Sequence, residues 1–242
     1  MKKHRTILSD ELARERIERS IYLRNVYTEI YLEFFRTMGS NRNLRVLEIG
    51  SGGTSFAKNF WPNLMETSYS STGGVSAESL EFEDNSFDLI IAKDVLHHIK
   101  DVPRAFHEFD RVLSKTGMIL ASEPSWSIIG KFVYKFLHEE PWEKSDVFVL
   151  DTSEPWDSNQ ALIYNLVKLD VTQRSKVLGK FTLKVLGSTY GLSYLFSGGV
   201  HSQTRISPRF LELCHRKLGK ITRKFDWLLS LNRIVLFEKS SK

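Results

Sequence analysis

The chain of 242 residues holds one cysteine, Cys214. That excludes an intrachain disulfide and suits a reducing compartment. A lone thiol of this kind reads as a small buried hydrophobe more readily than as a nucleophile. No Cys/His cluster has zinc-type spacing, so no metal is expected. No apolar run reaches the length of about 18 residues that a membrane-spanning helix needs. The opening "MKKHRTILSDELARERIERS" starts basic and has no apolar segment behind it, unlike a signal peptide. These absences point to a cytoplasmic protein. Internal repeats and low-complexity tracts are also missing.

What is present is ordinary for a folded chain. The hydrophobic fraction is 41% and the charged fraction 26%, enough material for one large domain or one domain with an elaborate insertion. The net charge of +5 is unevenly placed. From 205 to 242 ten Lys/Arg stand against three Asp/Glu, a balance of +7, which leaves −2 for the rest. A basic C-terminal surface of this kind suits an anionic membrane face, with the protein peripheral at the inner side, or a phosphorylated substrate. A solvated face accounts for the charge equally well. Nucleic acid is the weaker partner, because charge alone is nonspecific and no recognised module accompanies it.

Apolar positions from Leu12 to Phe35 recur at helical spacing and predict a helix over 10–37, capped by Ser9 or Asp10 and ended by Gly39. "LRVLEIG" (44–50) reads as a buried parallel strand. A short helix is expected at 54–60, a second strand in "NLMETSYS", and a loop over 71–86 with room for a third short strand. "FDLIIAKDVL" (87–96) is an apolar strand. "PRAFHEFDRVLS" (103–114) is a helix with proline in its first turn. "TGMILASEP" (116–124) is another strand. Alternation of this kind predicts an α/β fold: a Rossmann-like, doubly wound, mostly parallel sheet. Ligands of such sheets lie beyond the carboxyl ends of the strands.

After Pro124 the alternation stops. Residues 125–180 are rich in aromatics, among them Trp126, Tyr134, Trp142, Phe148, Trp156 and Tyr164. They read either as an aromatic-rich cap insertion over a substrate pocket or as a secondary core. "FTLKVLGS" (181–188) and "NRIVLFEK" (232–239) are expected to pair antiparallel and complete the sheet. Segments 125–180 and 190–230 would then lie over the strand ends.

The stretch "LEIGSGGTSF" carries the chemistry. Gly50, Gly52 and Gly53 permit positive φ and close backbone approach by a ligand, and a following helix would present free N–H groups. The dinucleotide fingerprint G-x-G-x-x-G fails, because its third glycine falls at Ser55. The P-loop pattern fails for want of Gly-Lys-Ser/Thr. E-x-G-x-G-G remains.

With that turn, "LEFEDNSFDLIIAKDVLHHIKDVPRAFHEFDRVLSKTGMILASEP" resembles class I S-adenosylmethionine-dependent methyltransferases of the type 11 kind. The resemblance is dense from about Leu44 to Pro124. A fainter likeness in "FVYKFLHEEPWE", "DSNQAL" and "YLFSGGVHS" points to a bacterial subgroup associated with cell-surface polysaccharide biosynthesis. The resemblance implies S-adenosylmethionine as cofactor. It implies that Glu48, Gly50, Ser51, Gly52 and Gly53 line its methionine and ribose part, with Lys93 and Asp94 beside the methionine end. It implies that Leu96, His97 and His98 form the element after the fourth strand, and that Glu123 closes the fifth strand at the substrate side. Trp126 and Tyr134 of the cap join Glu123 as substrate-side candidates. The chain then divides into an N-terminal helical segment (1–40), a cofactor-binding core (41–124), a cap (125–180), and C-terminal strands around a basic helical insertion (181–242).

A sulfonium methyl is already activated, so transfer depends mostly on orientation. A hydroxyl acceptor adds the need for a general base, for which His97, His98 and His138 are candidates. Two positions depart from the family. The acid expected on the ribose hydroxyls is Ser68, with Tyr69 beside it. The acid expected at the adenine amine is Ser76, followed by Ala77. Glu66 lies two residues from Ser68, roughly 6.6 Å along a strand, and Glu78 lies close to Ser76. A hydroxyl still bonds but loses the charge-assisted part. Two readings follow: an active methyltransferase for a small-molecule or glycan-linked acceptor, and a methyltransferase-like protein whose weakened cofactor site serves as a binding or regulatory module.

Overall fold

The apolar strand segments assemble into one sheet. The computed structural model describes residues 10–52, 55–70, 73–138, 140–151, 158–189, 191–199 and 205–240. The strands are β1 (Val46–Ile49), β2 (Met65–Glu66), β3 (Tyr69–Ser70), β4 (Gly73–Gly74), β5 (Phe87–Lys93), β6 (Leu113–Pro124), β7 (Phe181–Ser188) and β8 (Asn232–Lys239). Six of them form a sheet in the order β2-β1-β5-β6-β8-β7. Strands β2, β1, β5 and β6 run parallel, and β8 is antiparallel to both β6 and β7. Only β8 therefore opposes the common direction. The two C-terminal strands occupy the spans expected of them.

Helices cover both faces, because the strands bury both. They are α1 (Asp10–Arg19), α2 (Ile21–Thr37), α3 (Val102–Val112), α4 (Ile128–Phe132), α5 (Leu162–Lys168), α6 (Val171–Leu178), α7 (Leu192–Ser197), α8 (Pro208–Lys224) and α9 (Asp226–Leu229). Alternate strand residues face opposite layers. Leu47, Ile49, Ile90, Ala92, Ile119 and Ala121 join Phe106 and Phe109 of α3 and Leu166 of α5. Val46, Leu89, Ile91 and Leu120 join Val26, Ile30 and Phe34 of α2, with Trp61 and Leu211. Burying each such side chain contributes about 1.5–3 kcal/mol, so the two faces lock the sheet between helical layers.

Local chemistry sets the ends of the elements. Asp101 accepts from the Arg104 backbone N–H at 2.9 Å and caps α3, with proline in the first turn. The helix expected over 10–37 is two helices. Ser20 leaves helical geometry and its hydroxyl accepts from the Leu23 N–H at 3.3 Å, opening α2 as a new helix. Ser9 lies outside the described residues. Gly39 ends α2 at φ +65°.

Three further expectations change. The helix expected at 54–60 is a single 3₁₀ turn, Ala57–Asn59, in which the Ser55 hydroxyl takes the Ala57 N–H at 3.0 Å. In 71–86 the described strand is only β4, which pairs with β3 as a small hairpin apart from the main sheet. The described residues of 190–230 do not all lie over the strand ends, since α7 and α8 pack against α2. Tyr22 of α2 donates to Ser193 at 3.0 Å, and His215 of α8 meets Glu29 of α2 at 2.9 Å. Among the described residues no helix is long and apolar enough to cross a membrane.

Candidate active site

The strand order reverses between β1 and β5, so the crevice at their carboxyl ends is the place for a ligand. Register decides which residues meet there. Ile49 lies opposite Ala92, and Glu48 opposite Glu66. One residue further, Gly50 stands beside Lys93, and Ser68 borders the same turn. The Ser51 N–H donates to the Thr67 carbonyl at 3.0 Å, tying the turn to β2. Gly50 and Gly52 hold φ of +66° and +55°. A Cβ on Gly50 would stand 2.3 Å from Cγ2 of Val95, so glycine there is a packing requirement as well as a conformational one. Gly53 lies outside the described residues.

Across the crevice Asp94 adopts φ +54°, a strained conformation for a non-glycine residue. Several contacts hold it. Its N–H donates to the Ser122 carbonyl at 2.8 Å, Lys93 Nζ donates to Oδ2 at 2.9 Å, and the Asn232 amide donates to Oδ1. The Tyr134 hydroxyl donates within a shared contact to Asn232 Oδ1 and the Leu231 carbonyl, both at 2.8 Å. Lys93 Nζ also sits 4.1 Å over the Tyr27 ring. Burial works against the Lys93 charge, yet Asp94 and neighbouring Tyr194 hold its pKa above the ordinary value. Burial pushes the Tyr134 and Tyr194 hydroxyls well above theirs.

The expected residues sort unevenly in space. Gly50, Ser51, Gly52, Ser68, Lys93 and Asp94 do meet at the crevice. Ser76 and Ala77 are half-buried on the loop after β4, and the Ser76 hydroxyl accepts from the Glu78 N–H at 3.2 Å. Tyr69 places its backbone in the hairpin. Glu48 points away from the crevice, into the α2 layer. It is buried, accepts from Tyr31 at 2.6 Å and bonds the Ser55 hydroxyl. Burial pushes its pKa up to about 7, against the pull of Ser55 and Tyr31. The reason is the strand pleat: Glu48 shares its face with Val46.

The two acids that stand near Ser68 and Ser76 in sequence are engaged elsewhere. Glu66 pairs with Lys58 at 3.1 Å. Glu78 accepts from the backbone N–H groups of Lys100 and Asp101 at 3.0 and 2.9 Å. The serine hydroxyls are therefore what remains at those two positions.

Glu123 is also a correction. It is fully buried and accepts from Val95 and Leu96 N–H at 3.0 and 2.7 Å, so it fastens the 3₁₀ turn Leu96–His98. Its other oxygen meets His97 Nδ1 at 2.6 Å. His97 is buried too. Burial disfavours its charge, but Glu123 and Glu140 push its pKa up to about 10, which removes it as a base near neutral pH. Burial would raise Glu140, yet His97, His98 and His138 hold its carboxyl well below the ordinary range. His98 is partly exposed and stacks on His97 with centroids 4.2 Å apart. His138 is exposed and packs edge-on against Tyr134 at 5.6 Å, next to the Asp94 cluster. Trp126 is packed between Tyr164 and the Arg233 guanidinium; Trp156 lies outside the described residues.

Sequence reasoning missed Tyr27, Tyr194, Thr67 and Asn232. Asn232 was readable in principle, since it opens β8 and the antiparallel turn of that strand brings its start to the carboxyl edge. Tyr27 and Tyr194 come from segments whose docking no local pattern encodes.

Residues 39–121 match the model of the Methyltransf_11 family, a methyltransferase domain. Among curated proteins, the chain is similar to an uncharacterized methyltransferase, YcgJ of Bacillus subtilis strain 168, at 32% identity over 114 residues, covering 37% of this chain and 45% of that one. It is similar to the uncharacterized protein YafE of Escherichia coli K12 at 40% identity over 47 residues, covering 19% and 23%. The chain thus spans less than half the length of these curated relatives. Among solved structures, the Bacillus YcgJ protein aligns with a TM-score of 0.50 and 14% identity over 88% of this chain and 98% of that chain, a likeness of fold. The matched stretch holds β1, β5 and most of β6, together with the glycine turn and Lys93–Asp94; residues 39–121 are thus similar to the methyltransferase domain of that family, and they are carried on a Rossmann-like sheet.

Proposed function

We propose that the chain binds S-adenosylmethionine at the β1–β5 crevice and transfers its methyl group to a hydroxyl of a small-molecule or glycan-linked acceptor. One observation carries this: the family match coincides with the strands whose carboxyl ends bring the left-handed Gly50–Gly52 turn beside the left-handed Asp94. The turn offers backbone and little bulk to the cofactor. The residues present support this in part: Gly50, Gly52, Lys93 and Asp94 border the crevice, and Ser68 and Ser76 stand where the family resemblance expects the ribose and adenine acids.

The cofactor would bring a sulfonium methyl already poised for displacement. The protein's share is then orientation and proton removal. Asp94, fixed by Lys93 and Asn232, holds the methionine end. His138, exposed beside Tyr134, is the histidine best placed to take the acceptor proton, and His98 is the alternative. The glycan-linked acceptor rests on the subgroup likeness, and the basic, partly apolar α8 face suits a peripheral position at an anionic membrane.

The second reading, a binding module without turnover, is favoured by one specific finding: Glu66 and Glu78 are committed to Lys58 and to backbone N–H groups, so neither replaces a missing acid. Methyl transfer from labelled S-adenosylmethionine to a panel of hydroxylated sugars and small molecules separates the two. Label transfer that falls in His138→Ala supports the enzyme. Binding of S-adenosylhomocysteine with no transfer to any acceptor class supports the module.

A further inference from the structure

The turn after β5 meets Glu140, Ser158 and Gln160 through a cluster of which the methyl-transfer reading uses only His98, as its alternative base. His97 Nε2 lies 3.5 Å from Glu140 Oε2, and His98 Nε2 lies 4.0 Å from the same oxygen. The three ligand atoms all fall within 4.8 Å of one another. A tetrahedral cation with bonds of about 2.1 Å sets its ligands roughly 3.4 Å apart. The first separation already matches, and the others, at 4.0 Å and within 4.8 Å, are longer.

Four features make this a built site. Glu123 takes His97 Nδ1 at 2.6 Å, which fixes the ring and aims Nε2 into the cluster, the carboxylate–histidine arrangement that supports bound metals. Glu123 is itself locked by two backbone N–H groups. Ser158 donates to Glu140 Oε2 at 3.0 Å and sets that carboxylate. Gln160, 4% exposed, lays its amide nitrogen 3.1 Å from His97 Nε2 and against Glu140 Oε2, while its Oε1 is buried with no hydrogen-bond partner. Amide nitrogen and oxygen are assigned by contacts. In either orientation the Gln160 amide borders His97 Nε2 and Glu140 Oε2 and lies at the edge of the cluster.

Charge agrees with the geometry. Two buried carboxylates, Glu123 and Glu140, bracket two imidazoles, and a dication would take the place of the proton that His97 holds between them. Two nitrogens and one carboxylate oxygen are a donor set that suits zinc-class ions rather than magnesium or calcium.

We propose that His97, His98 and Glu140 form a binding site for a divalent zinc-class cation, with Glu123 as the outer carboxylate and Gln160 at its edge. Bound there, the ion would pin the Leu96–His98 turn to Glu140, a few residues from Asp94. His98 would then be a ligand, leaving His138 to take the acceptor proton.

Metal-free protein is titrated with Zn²⁺ alone, by calorimetry and by metal analysis after dialysis, with no cofactor present. One equivalent should bind to the wild type. Affinity should fall at least tenfold in His98→Ala and in Glu140→Gln and stay unchanged in His107→Ala, which alters an exposed histidine on α3. Co²⁺ should give the intense visible absorption of a low-coordinate site in the wild type and lose it in His98→Ala. No stoichiometric binding, or equal affinity in wild type and His98→Ala, overturns the site. Because the readout is metal alone, this result stands or falls apart from cofactor binding.

Discussion

Gly50→Ala probes the crevice at the point where conformation and packing both require glycine. The native φ of +66° costs an alanine about 1–2 kcal/mol. The added methyl then meets Val95, with Cγ2 at 2.3 Å, Cγ1 at 3.2 Å and Cβ at 3.3 Å, whereas comfortable carbon contacts are about 3.5–4.0 Å. Val95 cannot turn one methyl away without presenting the other, since a β-branched side chain has few χ1 choices. Overpacking of this sort costs about 1–3 kcal/mol. Gly50→Ala should therefore destabilise by about 2–5 kcal/mol, a large share of the roughly 5–15 kcal/mol of a typical domain. Urea denaturation measures it. The same experiment on Val95→Ala and on the double variant isolates the clash. The double variant should recover about 1–3 kcal/mol relative to the sum of the singles, and the remainder is the backbone term. Additivity within about 0.5 kcal/mol would refute the packing argument. A single variant as stable as the wild type would refute both.

Two other consequences are measurable. Glu48 has its folded pKa raised from 4.5 to about 7; its contribution is complete below pH 4.5 and lost as pH rises through 7, a change of about 3 kcal/mol. Stability of Glu48→Gln should vary much less between pH 5 and pH 8 than that of the wild type, and an identical pH slope in both would exclude Glu48 as its source. Glu123→Ala strips His97, Val95 and Leu96 of a shared acceptor and should cost about 3–5 kcal/mol; a loss under about 1 kcal/mol in thermal or urea unfolding would show that the turn is held by something else.

The sheet was legible because its signals are local. Apolar runs bounded by turn residues marked β5, β6, β7 and β8, and alternation with helices marked the doubly wound class. The α1–α2 break was not, because the helical period continues through Ser20 and only the hydroxyl's bond to Leu23 N–H ends it. The crevice was half legible. The glycine turn pointed to Gly50 and Gly52 and the family resemblance to Lys93 and Asp94, and all four border the crevice because they follow directly from two strand ends. The family resemblance suggested Glu48, Glu123 and His97 for the site, but a strand pleat turns Glu48 toward α2 and a long-range contact couples Glu123 to His97 in the turn 26 residues earlier. The His97–His98–Glu140 cluster has no spacing signature at all, because adjacent histidines meet a carboxylate delivered by a distant segment.

Cofactor binding at the glycine turn is the claim on which the functional account rests. Calorimetric titration with S-adenosylmethionine and S-adenosylhomocysteine tests it most directly. Both should bind more tightly than about 1 mM, near −4 kcal/mol. Binding should vanish in Gly52→Val, whose branched side chain opposes the φ of +55° and fills the backbone approach. Absence of heat with either ligand up to millimolar concentration, or equal affinity in Gly52→Val, would contradict the account.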